Sequence, residues 1–172
     1  MALETPRDLF VHELSDTMSA EHIILQMLGD LETESGNDEV RAAVKHHQGE
    51  TKQHIEHLEK VFKLLGEKPE KTTCHVAEGL KQEHDSLKEE KPSPLVLEIG
   101  NLAGAAKTEH YEMASYTMLI QMAKDLGESD VADLLKENLD QEKEMAHKVE
   151  SLARQVGKDA KQAMKEQEAT KA

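Results

Sequence analysis

Residues 131–156 read VADLLKENLDQEKEMAHKVESLARQV. Taken in alternating steps of three and four, Val131, Leu135, Asn138, Glu142, Met145, Val149, Leu152 and Val156 fall on one stripe, the seam by which a helix faces the core of a bundle. The stripe is apolar at both ends and carries a carboxylate near its middle. Two earlier stretches repeat it: Phe10, Leu14, Thr17, Glu21, Ile24, Leu28, Leu31, and then Leu95, Ile99, Leu102, Ala106, Glu109, Met113, Tyr116, Ile120, Ala123. A fourth stretch is less clean. Its stripe runs Val40, Ala43, His47, Glu50, His54, His57, Val61, Leu64, and a competing one through Thr51 and Leu58 puts Glu50 at the edge.

Punctuation separates these stretches into helices. Thr5 before Pro6 reads as an N-cap followed by proline at the first helical position, where its missing N–H costs nothing, with Asp8 in the first turn. Ser93 and Pro94 repeat the device, while Gly36 with Asn37, and Gly127 before Ser129 and Asp130, break the pattern. The spacing predicts long helices over residues 7–34, 38–65, 94–124 and 129–156. Residues 66–93 are too long for a turn and carry one amphipathic stretch over 73–90. The expectation is an all-α fold: an up-down four-helix bundle over residues 1–156, with one long crossover holding a short extra helix. Residues 157–172 are polar, either a frayed extension of the last helix or a disordered tail.

Composition agrees and removes whole classes of function. The chain has 172 residues, 37% of them hydrophobic but only 2% aromatic, with no Trp; β-branched runs bounded by turns are absent, which argues against sandwiches, barrels and OB-type nucleic-acid binders. A formal net charge of −14 repels phosphate backbones and anionic headgroups, so neither nucleic acid nor a membrane surface is an expected partner. Cations are. One cysteine, Cys74, permits no internal disulfide, and the start MALETPRDLFVHEL has no signal-peptide character. A cytoplasmic protein is expected, with no uninterrupted apolar run long enough to span a bilayer.

The carboxylates share a level as well as a facing. Glu21 lies 15 residues before Gly36 and Glu50 lies 14 after it, while Glu112 and Glu142 each lie 15 from Gly127; at roughly 1.5 Å per residue all stand near mid-height. Glu109 shares a face with Glu112. Carboxylates gathered in an apolar core without a cation cost several kcal/mol per ion, so either they are protonated or a multivalent cation sits among them. Oxygen ligands with one or two imidazoles suit iron or manganese better than zinc, and a dinuclear site is the simplest use of so many.

Of ten histidines, His12, His22, His75 and His84 read as solvent-facing, and His46, His47, His54 and His57 as a polar face that binds metal only adventitiously. His54 is the exception, one turn beyond Glu50 and able to supply a nitrogen ligand. His110 and His147 point off the seam. Tyr116, two turns from Glu109, is positioned to hydrogen-bond a metal-bound carboxylate or act as a redox neighbour, with a buried structural tyrosine as the plainer account. The methionines read as deformable core. No GxGxxG, P-loop, GxSxG or HExxH pattern occurs.

The segments DLFVHELSDTMSAEHIIL, GETKQHIEHLEKVF, AAKTEHYEMASYTMLIQMAKDLG and ADLLKENLDQEKEMAHKV, with the crossover around CHVAEGL, resemble the YciE/YciF family of bacterial ferritin-like proteins over residues 6–155. The resemblance implies a ferritin-like bundle with a dinuclear carboxylate site, usually taken as di-iron, in stress-associated cytoplasmic proteins that form homodimers. It assigns Glu21, Glu50, Glu109, Glu112 and Glu142 as metal ligands. Three positions depart from that pattern: His54 replaces a glutamine, Met18 a tyrosine and Ala146 an acidic residue, which leaves the last helix one ligand. Three functions compete: a di-iron oxidoreductase acting on O2 or H2O2 with Fe(II), a di-manganese catalase-like enzyme, and a metal-stabilised stress scaffold without catalysis.

Overall fold

The computed structural model describes residues 3–171, and the side chains of all of these except 163 and 167–171. Five helices account for the ordered elements among the described residues: α1 (Pro6–Glu34), α2 (Asp38–Leu65), α3 (His75–Glu89), α4 (Pro94–Asp125) and α5 (Ser129–Lys171). Each start has a local cause. The Thr5 hydroxyl accepts the Asp8 N–H while the Asp8 carboxylate accepts the Thr5 N–H, a reciprocal cap that satisfies two orphan donors. The Asn37 side chain accepts the Glu39 and Val40 N–H groups to cap α2, Ser93 accepts from Val96 to cap α4, and Cys74 caps α3 through its sulfur. After α4 the chain reverses at Gly127, whose φ of 78° lies in the left-handed region that favours glycine.

Contacts at the two ends set the topology. Arg7 at the start of α1 donates to the Leu65 carbonyl at the end of α2 and pairs with Glu128 in the α4–α5 turn, so these three points share one end. At the other end, buried Glu98 near the start of α4 accepts from Ser35 Oγ at 2.7 Å and Gly36 N–H at 2.9 Å in the α1–α2 turn. The crossover must therefore run the length of the bundle, and α2 and α4 are parallel. α1 packs on α2 and α4, and α5 packs on the same pair, closing a four-helix ring; α3 lies outside against α1 and α4. This is the ferritin-like bundle with one long crossover that the sequence predicts. Gly100 lets α3 approach closely, since a Cβ there would stand 2.3 Å from Leu87 Cδ2.

The stripes of the first and last helices are buried at every position, and the core falls into two apolar clusters. One gathers Phe10, Leu14, Leu58, Tyr116 and Leu135; the other gathers Ile24, Leu28, Val44, Leu102 and Val149. The polar centre described below lies between them along α1 and α5. Three expectations need correction. Leu95 and Ile99 are exposed, because α4 begins rotated so that Glu98 reaches the α1–α2 turn. Leu64 is exposed, because α2 buries Leu58, Val61, Phe62 and Leu65 instead. His84 is not solvent-facing: its ring is buried against Glu34, Nε2 to Oε2 at 3.2 Å. α5 runs past residue 156 to Lys171, with Val156 and Ala160 buried; the Lys, Gln and Ala of this stretch are helix formers, and Gly157 alone does not stop it. Residue 172 of the expected tail lies outside the described residues. Among the described residues no helix is long and apolar enough to cross a membrane.

Candidate metal centre

Each long helix sends acidic or imidazole side chains to the middle of the ring. Glu21 comes from α1, His47 and His54 from α2, Glu109 and Glu112 from α4, and Glu142 from α5, all buried. They form two groups, His47–Glu109–Glu112–Glu142 and Glu21–His54–Glu142, within each of which the ligating atoms lie inside 4.8 Å of one another. Glu142 belongs to both. Its Oε1 is 2.9 Å from His54 Nδ1 and its Oε2 is 3.5 Å from His47 Nε2. His47 Nε2 is also 3.5 Å from Glu109 Oε2, and His54 Nδ1 is 3.4 Å from Glu21 Oε1.

These atoms face a shared space more than one another. Both oxygens of Glu112 and of Glu142, with Glu21 Oε2, Glu109 Oε2, His47 Nε2 and His54 Nδ1, are buried without a properly directed hydrogen bond. Leaving one such group unsatisfied costs about 1–3 kcal/mol and more for a charged one, so eight converging atoms are the donor set a cation would satisfy. Four carboxylates and two imidazoles form a mainly hard, oxygen-rich set. The cluster can hold metal.

Outer contacts aim both imidazoles inward. His47 Nδ1 meets Glu50 Oε2 at 2.9 Å; a proton held there leaves the Nε2 lone pair facing Glu109 and Glu142. His54 Nε2 meets Gln141 Oε1 at 2.8 Å, and Gln141 Nε2 donates to Gln53 Oε1 at 3.3 Å, so a proton on Nε2 leaves Nδ1 facing Glu21 and Glu142. A ligand imidazole whose other nitrogen donates to a carboxylate or amide oxygen is the usual support for a metal-binding histidine. Tyr116, fully buried, donates its hydroxyl to Glu21 Oε1 and accepts from Asn138 Nδ2 at 3.0 Å. His57 completes that chain, Nδ1 to Asn138 Oδ1 at 2.7 Å.

Protonation without a metal follows from burial and charge. Burial, reinforced by Glu142 and Glu21, holds the carboxyls of Glu109 and Glu112 well above the usual range. Burial works against charge on His54, but Glu142 and Glu21 override it and push its pKa up to about 10. Glu142 is held below the usual carboxylate range, burial notwithstanding, by His54 and His47. Protons thus occupy places where a cation would bind, and metal uptake would release them.

Of the expected ligands, Glu21, His54, Glu109, Glu112 and Glu142 come together. Glu50 stands apart from both groups. The buried seam of α2 runs His47, Thr51, His54, Leu58, the competing stripe, which turns Glu50 to the edge with its side chain 15% exposed. There it touches His47 and, at 3.3 Å, His46 Nε2, and its hydrogen bond with His47 holds it below the usual carboxylate range. His47 takes the inward position; its presence on the stripe two turns before His54 was the available signal.

Comparison with known proteins gives a consistent picture. The family described as Domain of unknown function (DUF892) matches residues 5–163. Protein YciF of Escherichia coli (strain K12) is 36% identical over 154 residues, covering 89% of this chain and 93% of YciF. The crystal structure of the E. coli stress protein YciF superimposes with a TM-score of 0.87 at 34% identity, covering 91% of this chain and 99% of that one. A Rhodopseudomonas palustris protein, YcfI, named as a candidate structural protein, gives 0.83 at 35% identity over 86% of this chain and 94% of its own. A Xanthomonas campestris pv. campestris protein shares the fold alone, with a TM-score of 0.76 at 20% identity over 94% and 99% of the two chains.

Proposed function

This chain belongs to the DUF892 family of YciF-like stress proteins, and on that premise we propose that it is a dinuclear metal oxidoreductase, with iron in both positions and O2 or H2O2 as oxidant. One observation carries the reading: Glu142, buried and with neither oxygen in a properly directed hydrogen bond, presents each oxygen to a different histidine, the disposition of a carboxylate shared between two ions. When bound, an iron pair supplies the two electrons that reduce the oxidant. The chain's residues do the rest. Glu21 and His54 would hold one ion, and His47, Glu109 and Glu112 the other, with Glu142 common to both. The Tyr116 hydroxyl fixes the orientation of Glu21, and Glu50 fixes that of His47. Apolar clusters on both sides keep bulk water from the centre, which strengthens every charge interaction within it. The result would be removal of reactive iron or peroxide under stress.

A second reading, a metal-stabilised stress scaffold without turnover, is favoured by the description of the R. palustris relative as structural. Metal content of protein purified without chelator, compared with the double variant Glu21→Ala, Glu142→Ala, tests the site itself. Two ions per chain, lost in the variant, are expected. Fe(II) oxidation then tests the chemistry: equal rates for metal-free and iron-loaded protein overturn the oxidoreductase reading, and a large rise in melting temperature with redox-inert zinc and no turnover supports the scaffold. Oxygen evolution from peroxide by manganese-loaded protein would replace iron with manganese as the working metal.

A further inference from the structure

A second space adjoins the centre. Between α1, α3 and α4 lies a cavity of about 440 Å³, walled by Ile24 and Leu28 of α1, Leu80 and Leu87 of α3, and Ala103 and Gly104 of α4. Much of the wall is alkyl; Glu83, His84, Glu90 and Lys107 also line it, and two of its buried polar residues carry an atom without a hydrogen-bond partner. Glu109, buried with Oε2 unpartnered, belongs to the metal centre and also lines the cavity. Asn101, also buried, lines it eight residues earlier on α4 with its Oδ1 unpartnered. The orientation of that amide is fixed by its other end, because Asn101 Nδ2 donates to Glu34 Oε2 at 3.2 Å and a carboxylate only accepts. Oδ1 is therefore an acceptor left without a donor. Passage of iron ions, O2 or H2O2 needs no alkyl chamber of this size.

We propose that this cavity binds a slender molecule with a single alkyl chain and a neutral hydrogen-bond-donating head, the head on Asn101 Oδ1 and the chain directed toward Glu109. Eight residues of helix span about 12 Å, the reach of a chain of roughly ten carbons. A hydroxyl head gives Asn101 the donor it lacks. A carboxylate head would bring a second acceptor to an acceptor, and the basic side chains nearby are already engaged, His84 and Lys88 by Glu34 and Lys107 by Glu83. Binding as such requires no metal; only the placement of the chain's end beside a reactive centre rests on the function proposed above.

The probes are 1-decanol and decanoate, measured by isothermal titration calorimetry on the full chain. Saturable binding of 1-decanol, about tenfold tighter than decanoate, is expected from one good hydrogen bond gained against one forbidden. Gly104→Leu fills the cavity with little risk to the fold: Gly104 has open space where a Cβ would stand, and a helical glycine is replaced by a better helix former. Gly104→Leu is expected to retain its metal content and melting temperature and to weaken 1-decanol at least about tenfold, with Gly104→Ala intermediate. Asn101→Leu should bring the two probes level. Absence of saturable 1-decanol binding, undiminished binding by folded Gly104→Leu, or decanoate binding as tightly as 1-decanol would each overturn the proposal. Metal content of the same samples reads the metal centre separately, so loss of one conclusion is distinguishable from loss of the other.

Discussion

Glu142→Gln puts the shared carboxylate to the most direct test. The substitution keeps the side-chain volume and removes one charge from a residue whose oxygens stand 2.9 Å from His54 Nδ1 and 3.5 Å from His47 Nε2. At free Mn(II) one hundred times Kd, each occupied site adds about 2.7 kcal/mol to the stability of the folded chain. Removing an outer partner of a metal ligand weakens binding about 10–100-fold, and a directly bound carboxylate should cost at least the upper figure. Each site then contributes only about 0.4 kcal/mol at the same Mn(II), a loss of about 2.3 per site. Because Glu142 lies in both groups, the loss counts twice, about 4.6 kcal/mol. For a chain of this length that is about 9–18 °C of the metal-induced rise in melting temperature. The assay is thermal unfolding of wild type and variant with and without Mn(II), each compared with its own metal-free form, because the variant also removes the partner of His54. A variant that keeps the full rise would refute Glu142 as a ligand. One that loses only half would confine it to a single site.

Three further outcomes follow from the same geometry. Glu112→Gln should lower bound metal from two ions to one by mass spectrometry, whereas Glu50→Gln should keep both and weaken uptake about 10–100-fold, since Glu50 orients His47 from outside. Stability of the metal-free chain should fall as pH rises above 4.5, because Glu109 and Glu112 keep their protons beyond that value in the folded state. His54 adds in the same direction, its contribution complete below 6.5 and lost through about 10; Glu142 acts oppositely, but only below 4.5. The metal-induced rise in melting temperature should grow over the same range as protons cease to compete, and melting curves from about pH 5 to pH 9 check both slopes. Tyr116→Phe leaves Glu21 Oε1 and Asn138 Nδ2 without that partner; a cost of about 1–3 kcal/mol in denaturant unfolding, with metal content unchanged, is expected.

The sequence by itself determined the presence and order of the five helices, the caps at Thr5 and Ser93 and the facing of α1 and α5. An apolar repeat is a local property, and every position of the stripes through Glu21 and Glu142 is buried, because any bundle must cover such a seam. The tertiary structure decided which of two overlapping stripes on α2 faces inward. Each is locally acceptable, and only packing against α1 and α5 selects the one that brings in His47 and turns Glu50 to the edge. The rotation of α4 was equally distant in origin, since Glu98 turns inward to serve a turn 63 residues earlier. The chamber beside Glu109 depends on where α3 seats against Gly100, which no helical period encodes. Periodicity fixes which face of each helix is apolar, whereas the convergence of side chains on one point depends on the rotations of four helices at once, and those are settled only when the helices pack.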